Sequence, residues 1–339
     1  MRTAGLIDLQ VNGYAGVDFN DPALDGPAID HALEAMLRTG VAACLPTVIT
    51  AHEHELRARL RMLDQAVASS RLGQLMVPGY HLEGPFLNPA DGFAGCHPAE
   101  AMVAPDPALI GRITAGLSRP ILLLTLAPER KGAEALIRWA RARGMVVAMG
   151  HTLADLAATT CAAEAGVTLS THLGNALPQP LPKFLNPLMA QLSEDRLYAS
   201  FIADGIHVPP HALKVMLRAK GLHRSILVTD ATAAAAASHG LHRFAGMDIE
   251  HSPDGSVRVP GSVVLAGSAL RLDQAIRNVV SWGFADAEAV VQLASRNPAA
   301  LLEPVLKANG LGLPSSSVTW SSGLELLQVE VGAVRMNLK

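Results

Sequence analysis

Along this chain, short aliphatic or β-branched runs alternate with Ala/Leu/Arg-rich segments whose apolar positions recur at helical spacing. Candidate strands are LIDLQVN (6–12), ACLPTVI (43–49), LMVPGYHLE (75–83), ILLLTLAPE (121–129), VVAMGH (146–151), TLSTHL (168–173), LYASFIAD (197–204) and SILVTDA (225–231). Between them PAIDHALEAMLRTG, HEHELRARLRMLDQAVA, GAEALIRWARARG and LADLAATTCAAEAG read as helices, several stopped by a glycine. Eight strand-then-helix units in series predict an α/β fold, the TIM (β/α)8 barrel, whose active site is built at the carboxyl ends of its strands. A doubly wound open sheet is the alternative, but no GxGxxG or GxxxxGKS/T loop supports it.

After the eighth strand, ATAAAAASHG (231–240) is expected to be flexible unless packed, and MDIEHSPDGSVRVPG (247–261) predicts a hairpin turning at Asp254-Gly255 over the barrel mouth. Two more helices are expected, SALRLDQAIRNVVSWG (268–283) and DAEAVVQLASRNPAALL (286–302). The organisation is then a barrel over residues 1–305 and a short C-terminal tail, 306–339, with strands SSVTWSS and LELLQVEVGAVRM. That tail is too short for an independent domain.

The polar residues sharpen the barrel reading, because Glu83, His151, His172, Asp204 and Asp230 all fall at or just past the ends of different candidate strands. A barrel gathers those ends. Glu83, His151 and His172 then supply one oxygen and two nitrogen donors, a set suited to Zn²⁺ with a position left open for water, though Fe²⁺ or Mn²⁺ also fits. Singly, each reads as a satisfied strand-end polar group. Asp230 stands on a fourth strand end, where a carboxylate can take a proton from the attacking water and pass it on, or else cap a turn. His207 and His97 lie on loops after strand ends as candidate substrate binders, and Asp204 reads as the holder of its ADG turn. His52 and His54 open a helix, and Cys96 lacks triad partners.

Composition narrows the class of chemistry. Half of the 339 residues are hydrophobic and 17% are charged, enough for a large core and too apolar for disorder. A net charge of −3 with no basic run leaves no electrostatic footprint for nucleic acid or an anionic membrane. Three scattered cysteines argue against a disulfide framework and for a reducing compartment. With no signal-like start and no membrane-spanning run, a soluble cytoplasmic protein acting on a small molecule is expected.

In order, the segments GLIDLQVNGYAGVDFND, HLEGPFLNP, GCHP, MGHT, THLGNAL, FIADGIHV, LVTDATA and LAGSALRLDQAIRN resemble the N-acetylglucosamine-6-phosphate deacetylases of the amidohydrolase superfamily, over roughly residues 5 to 300. The resemblance implies hydrolysis of the N-acetyl amide of N-acetylglucosamine 6-phosphate, giving glucosamine 6-phosphate and acetate. It implies Glu83, His151 and His172 as metal ligands, Asp230 as general base and acid, and His207 and His97 as contacts to the sugar and amide carbonyl. Asn175 and Ala176 match the substrate-binding turn, and a homodimer is implied. Where two-metal amidohydrolases carry H-x-H, this chain has Gln10-Val11-Asn12, so one divalent ion per subunit is expected.

The chain departs from the family pattern in three places. The small β-sandwich module that the resemblance implies is expected to be reduced or missing here, leaving the tail strands without partners. The family's phosphate-binding arginine is absent, with Lys183 at a similar spacing, a point charge rather than a bidentate fork. The loop after Asp230 is unusually rich in alanine. The missing arginine motivates a second reading, a deacylase or cyclic amidase for an unphosphorylated amide. A non-catalytic sugar-binding barrel is the third.

Overall fold

A computed structural model describes residues 1–178 and 180–338. Eight parallel strands, Leu6–Val11, Val41–Ile49, Tyr80–Glu83, Ile121–Leu126, Val146–Met149, Val167–Ser170, Tyr198–Ile202 and Ser225–Val228, hydrogen-bond in chain order. The first and eighth meet through a parallel bridge between Val11 and Ala231 and a 2.9 Å bond from the Asp230 amide to the Gln10 carbonyl. The sheet thereby becomes a barrel.

The strands are almost wholly buried because helices cover their outer face. Helix Gly26–Leu37 starts where Asp25 accepts from the Ala28 amide and Pro27 pre-sets the first turn. Along Glu53–Ser69, Leu56, Leu60, Leu63 and Val67 form one buried stripe, and His52 opens the helix with its amide on Glu55. Leu156–Ala165 is capped by Asp155 and ends at Gly166.

Several expectations need correction. The third strand begins only at Tyr80, because Gly73–Met76 forms a helical turn and Pro78-Gly79 breaks the run. A Cβ on Gly79 would stand 2.6 Å from the Pro120 carbonyl oxygen, so the backbone there packs too closely for another residue. The strands carrying His151, His172 and Asp230 end earlier than their apolar runs suggest. Those three residues take left-handed backbones, with φ of 52°, 28° and 50°.

The alanine-rich segment is no loose loop, since Ala231, Ala233, Ala234 and Ala235 are buried against the barrel end. The hairpin turns as expected at Asp254-Gly255, but it is part of a three-stranded sheet, Gly240–Phe244, Met247–His251 and Val257–Arg258. Segment 286–302 divides at Ser295 into helices Ala287–Leu293 and Arg296–Ala308.

The tail strands Ser316–Trp320, Leu326–Val331 and Val334–Asn337 do have a partner, contrary to expectation. Arg2–Thr3 pairs antiparallel with the first of them, and the Trp320 indole donates to Thr3 Oγ1 at 3.0 Å. Among the described residues no helix is long and apolar enough to cross a membrane.

Candidate active site

Glu83 is the last residue of the third strand, and the chain leaves it through Gly84 at φ 87°. A Cβ on Gly84 would lie 2.1 Å from Thr50 Oγ1, so glycine alone fits this turn. Just past the fifth strand, His151 donates from Nδ1 to the Phe93 carbonyl at 2.7 Å, which leaves the Nε2 lone pair for the cavity. His172, past the sixth strand, is anchored by its amide on Ser200 Oγ at 2.8 Å.

The three side chains converge on one another. Glu83 Oε1 lies 3.1 Å from His172 Nε2 and 3.5 Å from His151 Nε2, and the two Nε2 atoms are 3.2 Å apart. Donors about 2.0–2.1 Å from a tetrahedral ion sit roughly 3.3 Å from one another, so these residues fit a divalent metal. Against the upward push of burial, the imidazoles of His151, His172 and His97 hold the Glu83 carboxyl well below the usual range. Burial would depress His172, but the Glu83 carboxylate raises it above its ordinary value.

Asp230 faces this cluster from just past the eighth strand. Its Oδ1 accepts from Asn12 Nδ2 at 2.8 Å and from Gln10 Nε2 at 3.1 Å. The same Gln10 nitrogen lies 3.1 Å from both oxygens of Glu83. Where an H-x-H pair would add metal donors, Gln10 and Asn12 therefore tether the two carboxylates instead. Desolvation in the cavity, reinforced by Glu83, raises the Asp230 pKa, which makes it a better proton acceptor than a solvated aspartate.

His97 and His207 also reach the cavity of about 730 Å³ that these residues line. His207 donates from Nδ1 to Asp204 Oδ2 at 2.6 Å, while Asp204 Oδ1 accepts the amides of Ile206 and His207. Asp204 thus holds its turn, as expected, and also orients His207, which the ADG pattern alone does not reveal. His97 stands beside the donor cluster, its Nε2 3.6 Å from Glu83 Oε2. Cys96 lines the cavity too, but burial pushes its thiol up to about 12, far from a ready nucleophile.

No protein-family model matches the chain. It is 32% identical over 326 residues to the N-acetylgalactosamine-6-phosphate deacetylase of Escherichia coli, with 95% of this chain and 84% of that protein covered. To the N-acetylglucosamine-6-phosphate deacetylase of Caenorhabditis elegans it is 33% identical over 311 residues, with 88% and 73% covered. The chain belongs to the N-acetylglucosamine-6-phosphate deacetylase family. A solved structure of the Mycobacterium smegmatis enzyme, a mutant in complex with N-acetyl-D-glucosamine-6-phosphate, superposes with a TM-score of 0.85 at 29% identity, covering 97% of this chain and 85% of that one.

Residues matched to the deacetylase motifs divide between cavity and surface. Asn175 and Ala176 line the cavity, with Asn175 Nδ2 on the His172 carbonyl at 2.8 Å and Ala176 at φ 51°. Lys183 is exposed and lies outside the cavity lining. Thr50, whose Oγ1 lies 3.0 Å from His97 Nδ1, and Glu129, whose Oε1 accepts from Asn88 Nδ2 and the Leu153 amide, escape sequence reading, because a threonine after an apolar run and a glutamate in a turn carry no signal of such contacts.

Proposed function

We propose that this deacetylase-family chain hydrolyses the N-acetyl amide of an amino-sugar 6-phosphate, N-acetylglucosamine 6-phosphate, to glucosamine 6-phosphate and acetate. The observation that carries the reading is the convergence of Glu83, His151 and His172 opposite a tethered, pKa-raised Asp230. Glu83, His151 and His172 would hold one divalent ion, Zn²⁺ on this donor set, which when bound would lower the pKa of water and polarise the amide carbonyl. Asp230 takes the proton from the attacking water and returns it to the leaving nitrogen. His207, steadied by Asp204, contacts the substrate, and Asn175 and Ala176 shape the turn beside it. The same reading takes the protein as a cytoplasmic homodimer.

Asp230→Asn is expected to lose most turnover, at least 100-fold in kcat, while binding metal as the parent does. Near-full activity in that variant would sink the assignment, and a deacetylation assay with metal analysis on the same sample reads both quantities. Protein that neither holds nor takes up a divalent ion would favour the sugar-binding barrel.

One observation favours the unphosphorylated substrate as a second reading. Among the described residues lining the cavity none is lysine or arginine, and Asp91 stands among them. Turnover of N-acetylglucosamine with and without the 6-phosphate decides between the two. The phosphate reading expects at least a tenfold higher kcat/KM for the phosphorylated sugar, reduced in Lys183→Ala if that lysine is the anchor.

A further inference from the structure

The small three-stranded sheet carries histidines that do not line the catalytic cavity. In its register Gly240 pairs with His251, and His242 pairs with Ile249. Residues directly opposite, and residues two apart on one strand, share a face of a sheet, so His242 and His251 project from the same side. His239 precedes Gly240 and reaches the same end of the sheet. The His239 and His251 rings stand 4.6 Å apart between centroids at 79°, with His242 at 6.5 Å from His251. The active-site pair His151 and His172 has nearly the same arrangement, 5.0 Å and 76°.

His251 is buried, and its Nδ1 has no hydrogen-bond partner among the described residues. Buried ring nitrogens are normally paired. Beside it Gly240 leaves space: apart from its chain neighbours, no described heavy atom lies within 4 Å of where its Cβ would stand. His242 donates from Nε2 to the Ser238 carbonyl at 2.8 Å, which leaves the lone pair of the neutral ring on Nδ1. Burial, with the His239 and His242 rings nearby, holds His251 below its ordinary pKa and so keeps it a neutral donor. The Asp254 carboxylate favours positive charge at the same place.

We propose that His239, His242 and His251 form a second metal site, separate from the catalytic cavity, for a divalent ion that prefers imidazole. Zn²⁺, Cu²⁺ and Ni²⁺ are of this class, with water in the remaining positions. Such an ion ties the segment that follows Asp230 to strand Met247–His251. Phe244, on the strand that starts at Gly240, lines the catalytic cavity together with Val263, Val264 and Leu265. The ion therefore stiffens one wall of the mouth.

The test follows Zn²⁺ bound per chain by equilibrium dialysis over a range of free Zn²⁺, in the parent, in His239→Ala and in His251→Phe. His239 is exposed, so its loss spares the fold, and phenylalanine keeps a ring in the buried position. The parent is expected to take up an ion for which both variants have at least about tenfold weaker affinity, since a ligand should matter no less than its outer-shell support. Its heat-unfolding midpoint is expected to rise with added Zn²⁺ more than theirs. Superimposable binding curves for the parent and both variants would overturn the proposal. The comparison stands apart from the Glu83 site, which all three proteins share.

Discussion

Asp8 lies two positions before Gln10 on the first strand, fully buried, with Oδ2 accepting from Thr229 Oγ1 at 2.6 Å. It thereby fixes the residue before Asp230. Burial pushes its carboxyl from an ordinary 3.8 up to about 7, although hydrogen bonds from Thr229 and Gln10 oppose the rise. Because the folded pKa is the higher one, the folded chain holds this proton more tightly than the unfolded chain. Its stabilising contribution is complete below about pH 4, declines as the pH rises, and is gone above about pH 7. The buried anion then costs on the order of a few kcal/mol relative to the protonated form. Asp8→Asn is accordingly expected to match the parent near pH 4 and exceed it in stability at pH 8, read from urea midpoints at both values. A variant less stable than the parent at pH 8 would show that the carboxylate is held in its charged form. In the sequence this aspartate is only a polar interruption of an apolar strand. Its partner sits 221 positions away, and no local pattern points there.

At the scale of elements, the loop after the third strand and the turn after the fifth are joined by one carboxylate. Glu129 Oε1 accepts from Asn88 Nδ2 at 2.8 Å and from the Leu153 amide at 2.7 Å, and the Thr152 hydroxyl donates to Oε2. Asn88 in turn donates its amide to the His151 carbonyl at 3.0 Å. Replacing Glu129 by Gln removes one acceptor from this junction and puts an NH₂ against other donors. The expected outcome is about 1–3 kcal/mol of lost stability and weaker metal retention, measured by urea unfolding and by metal content after dialysis. Unchanged values would mean that the loops hold without it. All eight barrel strands were legible because aliphatic runs of four or more residues cannot be solvated cheaply. Their ends were not, since His151, His172 and Asp230 continue the run while the backbone has already turned left-handed. Likewise the alanines after Asp230 read as a loose loop, and only tertiary packing makes them part of the core.

Across the whole molecule, the order of apolar runs is enough to expect Glu83, His151, His172 and Asp230 near one end of a barrel, and all four line one cavity. The barrel has only one way to order eight parallel strands joined by short crossovers. What stayed hidden were contacts between residues far apart with no repeating pattern, such as Arg2–Thr3 against the tail sheet and Thr50 against His97.

The seam between the first and eighth strands bears on how the site comes into being. Seven of the eight strand pairings join consecutive barrel strands, but this one reaches from Val11 to Ala231 and carries the contacts among Gln10, Asn12 and Asp230. Contacts of such separation are rewarded only after the intervening chain is ordered. During synthesis the first strand pairs early with the second but waits for most of the polypeptide before the eighth emerges. In refolding from urea with Zn²⁺ supplied, activity is expected to return in the slowest phase, after the helical circular-dichroism signal has recovered. Activity that kept step with the earliest phase would place seam closure at the start. If closure comes last, a nascent or truncated chain can be well folded over most of its length and still be inert.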